Sequence, residues 1–253
     1  MKNKNGQIAI WVILALVLVG AISLFFLLER RTFGVAESTF GPEQYIAQCT
    51  REVTAEVADI IIPQGGFLDS ENFKIYNDTK VPYLCRSYGF YVNCINQHPM
   101  FINEISEEIR GYIAPRIESC FEDMKKELEK RQAIVEFDSS PAVINVSLAP
   151  GEILVEIAKS VKITEKDTTK TFEKFDARTM SPIYNLASVA INIANNERKY
   201  CYFEYLGYMI LDQSVDIRKF TMSDATKIYS IKDIASGKIF NIATRSCAMP
   251  AGF

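Results

Sequence analysis

The chain has 253 residues, of which 48% are hydrophobic and 23% are charged, close to the average for folded globular proteins. Four of its 28 Lys and Arg residues and two of its 31 Asp and Glu residues precede Pro42, which leaves the rest of the chain with a net charge of −5. That balance argues against nucleic-acid binding, which needs concentrated basic surface, so no nucleic-acid partner is expected.

An uncharged apolar stretch runs from Ile8 to Leu28. As an α-helix this stretch would be about 31 Å long, which matches the hydrocarbon thickness of a bilayer. A cleavable secretory signal would have a shorter apolar core followed by small residues, and a buried core helix would carry a polar stripe. We therefore expect residues 1–6 to form a short head, 7–29 a transmembrane helix that contacts the lipid bilayer through Ile8–Leu28, and 30–41 a stalk.

All six cysteines follow this apolar stretch, and their number is even, which suits disulfide formation on an oxidising side of the membrane. Cytosolic free thiols are the alternative interpretation. Lys2 and Lys4 precede the stretch, whereas Arg30 and Arg31 after it are offset by Glu29. Together these features predict a cytoplasmic N-terminus and an extracytoplasmic C-terminal domain, residues 42–253.

Periodicity in residues 42–253 predicts an α+β domain. Apolar residues at three- and four-residue steps predict one helix after Pro42, a long helix after Pro99 and a third after Ser181-Pro182. Alternating residues predict short strands, including Ile153–Ile157 and Val161–Ile163, in a largely antiparallel sheet under these three helices. The aromatic run KYCYFEYLGYMIL is expected to be buried, in a state that the pattern does not decide.

No catalytic, cofactor or metal site is predicted, and the chain is not expected to be an enzyme. His98 is the only histidine and is expected to cap a helix or lie on the surface. Glu104 with Glu108 and Glu118 with Glu122 have the spacing of ligand pairs, but they lie opposite the apolar stripe of the long helix, where a solvated face is expected. No cysteine lies in a C-x-x-C motif, and no phosphate-binding or hydrolase motif occurs.

Six cysteines allow fifteen pairings, among which the sequence cannot choose. Cys49 and Cys120 both lie on buried helix stripes, and Cys85 and Cys94 are close in sequence. The working hypothesis is therefore Cys49–Cys120, Cys85–Cys94 and Cys201–Cys247. Two N-x-S/T triplets, at Asn77 and Asn145, are possible glycosylation sites of an extracellular domain.

The order of features also carries two resemblances. The chain resembles a family of archaeal membrane-anchored envelope proteins to which no activity is assigned. The resemblance rests on a Lys-rich head, Gly6-Gln7 at the start of one span, a stalk, a helix that ends at Gly65-Gly66, and the segment ILVEIAKSVKITEKDTTKTFEKFDART. The stretch KNG followed by QIAIW looks like the class III signal of type IV pilins, which implies cleavage between Gly6 and Gln7. Pilins commonly have Glu five residues into the mature chain, where this chain has Trp11.

These observations predict a non-catalytic, single-pass protein of the cell envelope, whose disulfide-stabilised outer domain binds a surface partner or assembles laterally. The alternative is a pilin-like filament subunit processed after Gly6.

Overall fold

The structure, a computed structural model, describes residues 18–20, 41–89, 91–138, 140–166 and 168–247. The predicted head, the stalk up to residue 40, the processing site at Gly6 and Gln7, and all but three residues of the predicted span Ile8–Leu28 lie outside these ranges. Within these ranges, no helix is both long and apolar enough to cross a bilayer. The chain divides into two compact units, and the second, which begins at Pro42, is described below.

Two long helices pack against each other. Helix α1 covers Pro42–Ile61, and helix α2 covers Phe101–Lys130. Each buries one stripe of residues three and four positions apart, as an amphipathic helix does. The buried stripe of α2 consists mainly of large apolar residues: Phe101, Ile105, Ile109, Ile113, Ile117, Phe121, Met124 and Leu128.

A six-stranded sheet contains β1 (Phe73–Tyr76), β2 (Thr79–Arg86), β3 (Ile95–Asn96), β8 (Val215–Thr221), β9 (Lys227–Asp233) and β10 (Ile239–Arg245). Its order is β1-β2-β10-β9-β8, with β3 also beside β2. Every pair is antiparallel except β2 with β10, which is parallel. Helix α3 (Ile183–Tyr200) packs on β2, β9 and β10.

A four-stranded sheet contains β4 (Ile134–Phe137), β5 (Val143–Ala149), β6 (Glu152–Glu165) and β7 (Thr168–Met180). Strand β6 is central, with β4 and β5 along one side and β7 along the other, and all pairs are antiparallel. Helix α2 packs on β4 and β5, and helix α1 packs on β7. The fold is therefore α+β, as predicted, but the single sheet of the prediction is in fact two sheets.

Two further details differ from the sequence prediction. The expected strands Ile153–Ile157 and Val161–Ile163 are one strand, β6, whose register shifts between Ala158 and Val161. Lys159 lies at this register shift. A lysine between two strands would be expected in an exposed loop, but its side chain is only 7% exposed and forms an ion pair with Glu118. Among the described residues from Pro42 onward there is also a fourth helix, α4 (Tyr205–Leu211), which has no buried residue. The expectation that the run KYCYFEYLGYMIL is buried was therefore wrong for most of it.

Gly65 and Gly66 form the turn after α1 and allow three elements to meet. Both have positive φ, +66° and +93°, a conformation that glycine adopts readily. A Cβ at Gly65 would lie against the Asn241 carbonyl and within 2.6 Å of Pro82 Cγ, and one at Gly66 would lie 2.7 Å from Ile105. The turn thus fits between α2, β2 and β10 only because neither residue has a side chain.

Three disulfides join Cys49 to Cys120, Cys85 to Cys94 and Cys201 to Cys247, the pairs of the working hypothesis. The first connects α1 to α2, the second links β2 to the segment before β3, and the third connects the end of α3 to the segment after β10. No cysteine in the described residues is left as a thiol. Every cysteine of the chain is therefore in a disulfide.

Candidate functional site

A groove of about 490 Å³ lies on the face of the six-stranded sheet. Its residues come from the end of α1, the β1–β2 hairpin and strands β8, β9 and β10. We call it the sheet groove and define it by its lining residues: Pro63, Tyr76, Asn77, Thr79, Asp216, Arg218, Lys219, Phe220, Ile228, Ser230, Lys232, Ile239 and Asn241.

Tight turns bring these residues together. The β1–β2 hairpin turns at Asn77-Asp78, both with positive φ (48° and 59°), which Asn and Asp tolerate better than other side chains. This places Tyr76 opposite Phe220, with ring centroids 5.9 Å apart. Along β8 and β9, residues two apart project to the same face, so Arg218 and Phe220 share the groove side.

A hydrogen-bonded row fixes the middle of the groove. Ser230 donates its hydroxyl to Asn241 Oδ1 at 2.7 Å, and Asn241 Nδ2 donates to the Pro63 carbonyl at 2.9 Å. Beneath this row, Ile228 belongs to a buried cluster with Val81, Tyr83 and Ala243, against which Tyr76 packs. The groove is therefore preformed on a packed base.

The β8–β9 turn is tied to β1 by charge. Lys74 Nζ lies 2.6 Å from Asp224 Oδ2. Partial burial alone would raise the pKa of Asp224, but hydrogen bonds from Lys74 and Thr226 lower this pKa to about 2. The carboxylate thus stays ionised at neutral pH and holds the turn beside Tyr76.

The charges in the groove are partly compensated. Arg218 Nε lies 3.4 Å from Asp216 Oδ2, with the arginine side chain 80% exposed. Lys232 is exposed and makes no ion pair within the described residues. The groove can therefore offer a ligand aromatic rings, hydroxyl and amide groups and at least one cation, Lys232, that has no ion-pair partner among the described residues.

A second polar cluster is buried at the end of α3. Glu197 is fully buried, and its carboxylate contacts Lys227 Nζ at 2.7 Å and accepts hydrogen bonds from the Tyr229 and Ser246 hydroxyls. Lys227 also donates to the Cys201 carbonyl at 2.6 Å and to Ser246 Oγ at 3.1 Å, so each of its three protons has an acceptor. Burial and the Glu197 charge raise the pKa of Tyr229 far above its ordinary value, so this hydroxyl remains a donor.

The buried cluster has a structural reading. A carboxylate and an ammonium that satisfy each other leave no group free to react, and the Cys201–Cys247 disulfide closes the same region. The cluster joins α3, β9 and the segment after β10. We regard it as a structural connection between these elements.

His98 is neither a cap nor a surface residue, contrary to expectation. Its side chain is 17% exposed, packs on Phe67 at 4.7 Å between ring centroids, and has Nδ1 2.5 Å from Glu104 Oε2. Its Nε2 is buried and has no hydrogen-bond partner among the described residues. A cavity of about 140 Å³ lies beside it, with a lining of Leu84, Asn96, Pro99, Phe101, Ile191, Ala194 and Asn195 and no side chain of a nucleophile.

The carboxylates of α2 are less solvated than the periodicity predicts. Besides Glu104, Glu108 accepts the Leu68 N–H, and Glu118 accepts the Ala142 N–H and pairs with Lys159. Partial burial raises the pKa of Glu118, but these two hydrogen bonds outweigh it and lower the pKa. Within the described residues, no cluster of three or more His, Cys, Asp or Glu side chains could hold a metal ion.

The two possible glycosylation sites lie apart. Asn77 is exposed at the β1–β2 turn on the rim of the sheet groove, and Asn145 is exposed on β5, where its amide donates to Glu156 at 3.3 Å. The sequence does not reveal the sheet groove, because its residues are separated by as many as 178 positions and most of them belong to ordinary alternating strands.

Comparison of the chain with family models, with curated proteins and with solved structures gave no match.

Proposed function

We propose that the chain is a non-catalytic, single-pass protein of the cell envelope, anchored by Ile8–Leu28, whose outer domain binds a partner at the cell surface. One observation carries the proposal: three disulfides consume all six cysteines, and every one of these cysteines follows the apolar stretch. Disulfides persist in oxidising compartments, so this arrangement favours an extracytoplasmic position for residues 42–253.

The sheet groove is the proposed partner site. It combines exposed aromatic surface, Tyr76 and Phe220, with hydroxyl and amide groups and with the cations Arg218 and Lys232. Because the domain as a whole has a net charge of −5, a locally cationic groove favours a partner that presents an anionic group.

Exposure of the domain outside intact cells tests the location. The expected result is that added protease digests the domain on whole cells and that its six cysteines resist alkylation until a reductant is added. A full-length protein that is protected from protease and alkylated without reductant would contradict the proposal.

Capture of a partner from native membranes tests the groove. We expect Phe220→Ala with Lys232→Glu to reduce the yield of a partner identified by mass spectrometry by roughly tenfold, the loss typical when a central contact residue is removed. The matched control is Tyr91→Ala with Lys170→Glu, two exposed residues outside the groove, which should leave the yield unchanged. Equal losses in the two variants would reject the groove as the site.

The stretch KNG before QIAIW favours a second candidate, a pilin-like filament subunit processed after Gly6. Mass spectrometry of the mature N-terminus separates the two candidates. A chain that begins at Gln7 supports processing and assembly, and a chain that keeps Met1 supports simple anchoring.

A further inference from the structure

Helix α4 and the residues before it form a conspicuously apolar patch on the surface of the domain. We call it the α4 surface and define it by Tyr200, Tyr202, Leu206, Ile210 and Leu211. Their exposed fractions are 55%, 42%, 57%, 75% and 88%. Because Leu206 and Ile210 are four residues apart on the helix, they project from the same side.

The exposure of this patch is built into the fold. On the other side of α4, the Phe203 ring contacts Tyr208 at 5.5 Å and Tyr229 at 6.2 Å, and the Met209 sulfur accepts the Ile217 N–H at 3.0 Å. Phe203 is 4% exposed. The helix is thus held with its inward contacts made and its aliphatic side chains pointing outward.

Cations accompany the tyrosines of the patch. Lys199 Nζ lies 4.8 Å from the Tyr200 ring centroid, and Lys219 Nζ lies 4.8 Å from the Tyr202 centroid. Glu204 is the one acidic residue between Arg198 and Leu211, and its carboxylate accepts hydrogen bonds from the Tyr202 hydroxyl and the Gly207 N–H. Beyond α4, Asp212 accepts from Ser214, and Asp216 pairs with Arg218.

This arrangement is typical of a segment that lies in the interface of a membrane. Interfacial helices present aliphatic side chains to the acyl region, tyrosines at the headgroup level and Lys or Arg beside them. The residues from Arg198 to Leu211 carry a net charge of +1 in a domain of −5, which suits anionic headgroups.

The predicted anchor would keep this patch near a bilayer. Residues 29–41 separate Leu28 from Pro42, and when extended they reach roughly 45 Å. A short tether raises the local concentration of its target to roughly millimolar, so weak interfacial affinity suffices. This step rests on the proposed function.

We propose that the α4 surface binds the membrane that holds the anchor, with Leu206, Ile210 and Leu211 inserted among the acyl chains and the tyrosines at the headgroups. The partner is a lipid bilayer that contains anionic lipid. The five residues of the α4 surface do not line the sheet groove, although Lys219, which lies beside Tyr202, does.

Quenching of tryptophan fluorescence by brominated lipid tests the proposal in the full-length protein. Trp11 is the only tryptophan and lies in the predicted span. In vesicles of phosphatidylcholine and phosphatidylglycerol, quenching of the natural Trp11 by lipid brominated near the headgroups reports the anchor, because Trp11 is the fourth residue of the predicted span. Ile210→Trp in a Trp11→Phe background then reports the α4 surface, and Leu211→Trp provides a second reporter.

Val143→Trp in the same background is the matched control, because Val143 is 71% exposed on the other sheet. We expect lipid brominated near the headgroups to quench the tryptophans at positions 210 and 211 roughly threefold more than the one at 143. Equal quenching at the three positions would overturn the proposal. Shielding of the tryptophans at 210 and 211 from aqueous acrylamide without quenching by lipid would also overturn it, because that result would show that a protein covers the α4 surface. If brominated lipid does not quench Trp11, the proposed anchoring itself is contradicted.

Discussion

At the scale of single residues, Glu197 and Lys227 form a charge pair in which the Glu197 side chain is fully buried and the Lys227 side chain is 15% exposed. Taking two charges out of water costs several kcal/mol for each ion, and the pair offsets this only because the two hydroxyls and the Cys201 carbonyl complete its hydrogen bonds. The sequence could not show this, since Glu197 precedes Arg198 and Lys199 in a polar last turn that is typical of an exposed helix end.

Lys227→Met leaves the Glu197 carboxylate buried without a counter-charge. We expect the free energy of unfolding to fall by about 3–5 kcal/mol at neutral pH, which is the usual effect of breaking a buried pair. Urea denaturation followed by circular dichroism measures this change.

Lys232→Met provides the comparison for Lys227→Met, since Lys232 lies on the same strand but is exposed and makes no ion pair among the described residues. Its effect should be below about 0.5 kcal/mol. A loss for Lys227→Met no larger than this would show that the buried pair is not a significant source of stability.

At the scale of elements, the helices that alternate apolar and polar faces were predictable, whereas α4 was not. Helices α1, α2 and α3 each have a buried stripe that repeats at the helical period. Helix α4 has seven residues and no polar side apart from Tyr205 and Tyr208, so its pattern indicates a buried segment. The sequence also does not show that the strands form two sheets. This division depends on contacts between strands and helices that are distant in sequence.

The turn after α1 gives a prediction at the same scale. Gly65→Ala should lower the free energy of unfolding by about 2–5 kcal/mol, because a methyl group would meet the Asn241 carbonyl and Pro82 in addition to the cost of positive φ. Thermal denaturation corrected to a common temperature measures the change.

The control for Gly65→Ala is Gly151→Ala. Gly151 also has positive φ, +81°, but no atom lies within 4 Å of the position that a Cβ would take. Its loss should be limited to the backbone cost, about 1–2 kcal/mol. Losses of the same size at the two positions would mean that the close approach of α1, β2 and β10 is not rigid.

At the scale of the whole molecule, the disulfides close loops of very different lengths. Cys49–Cys120 closes a separation of 71 residues, whereas Cys85–Cys94 closes one of 9. A crosslink restricts the unfolded chain more when the closed loop is longer, and the chain-entropy relation gives about 4.4 and about 2.6 kcal/mol for these two. Helix stripes suggested the first of these two pairs and local spacing the second, although the sequence alone allows fifteen pairings of the six cysteines.

Cys49→Ala with Cys120→Ala should therefore destabilise the domain more than Cys85→Ala with Cys94→Ala, by about 1–2 kcal/mol. Guanidinium denaturation of both double variants, with the third disulfide intact, measures the difference. The opposite ranking would indicate that burial of Cys85 and Cys94, which are 0% and 3% exposed, outweighs loop length.

The parallel pairing of β2 with β10 constrains how this domain can be made. Strand β10 lies between β2 and β9, so the larger sheet stays split until β10, the last of its strands in chain order, is available. During synthesis from the N-terminus, the β1–β2 hairpin is made first, and the edge of β2 that later pairs with β10 remains unpaired. That edge could form hydrogen bonds with other strands. A chain terminated before Ile239 lacks β10 and could not join β2 to β9. We expect such a chain to be recognised as incompletely folded and degraded.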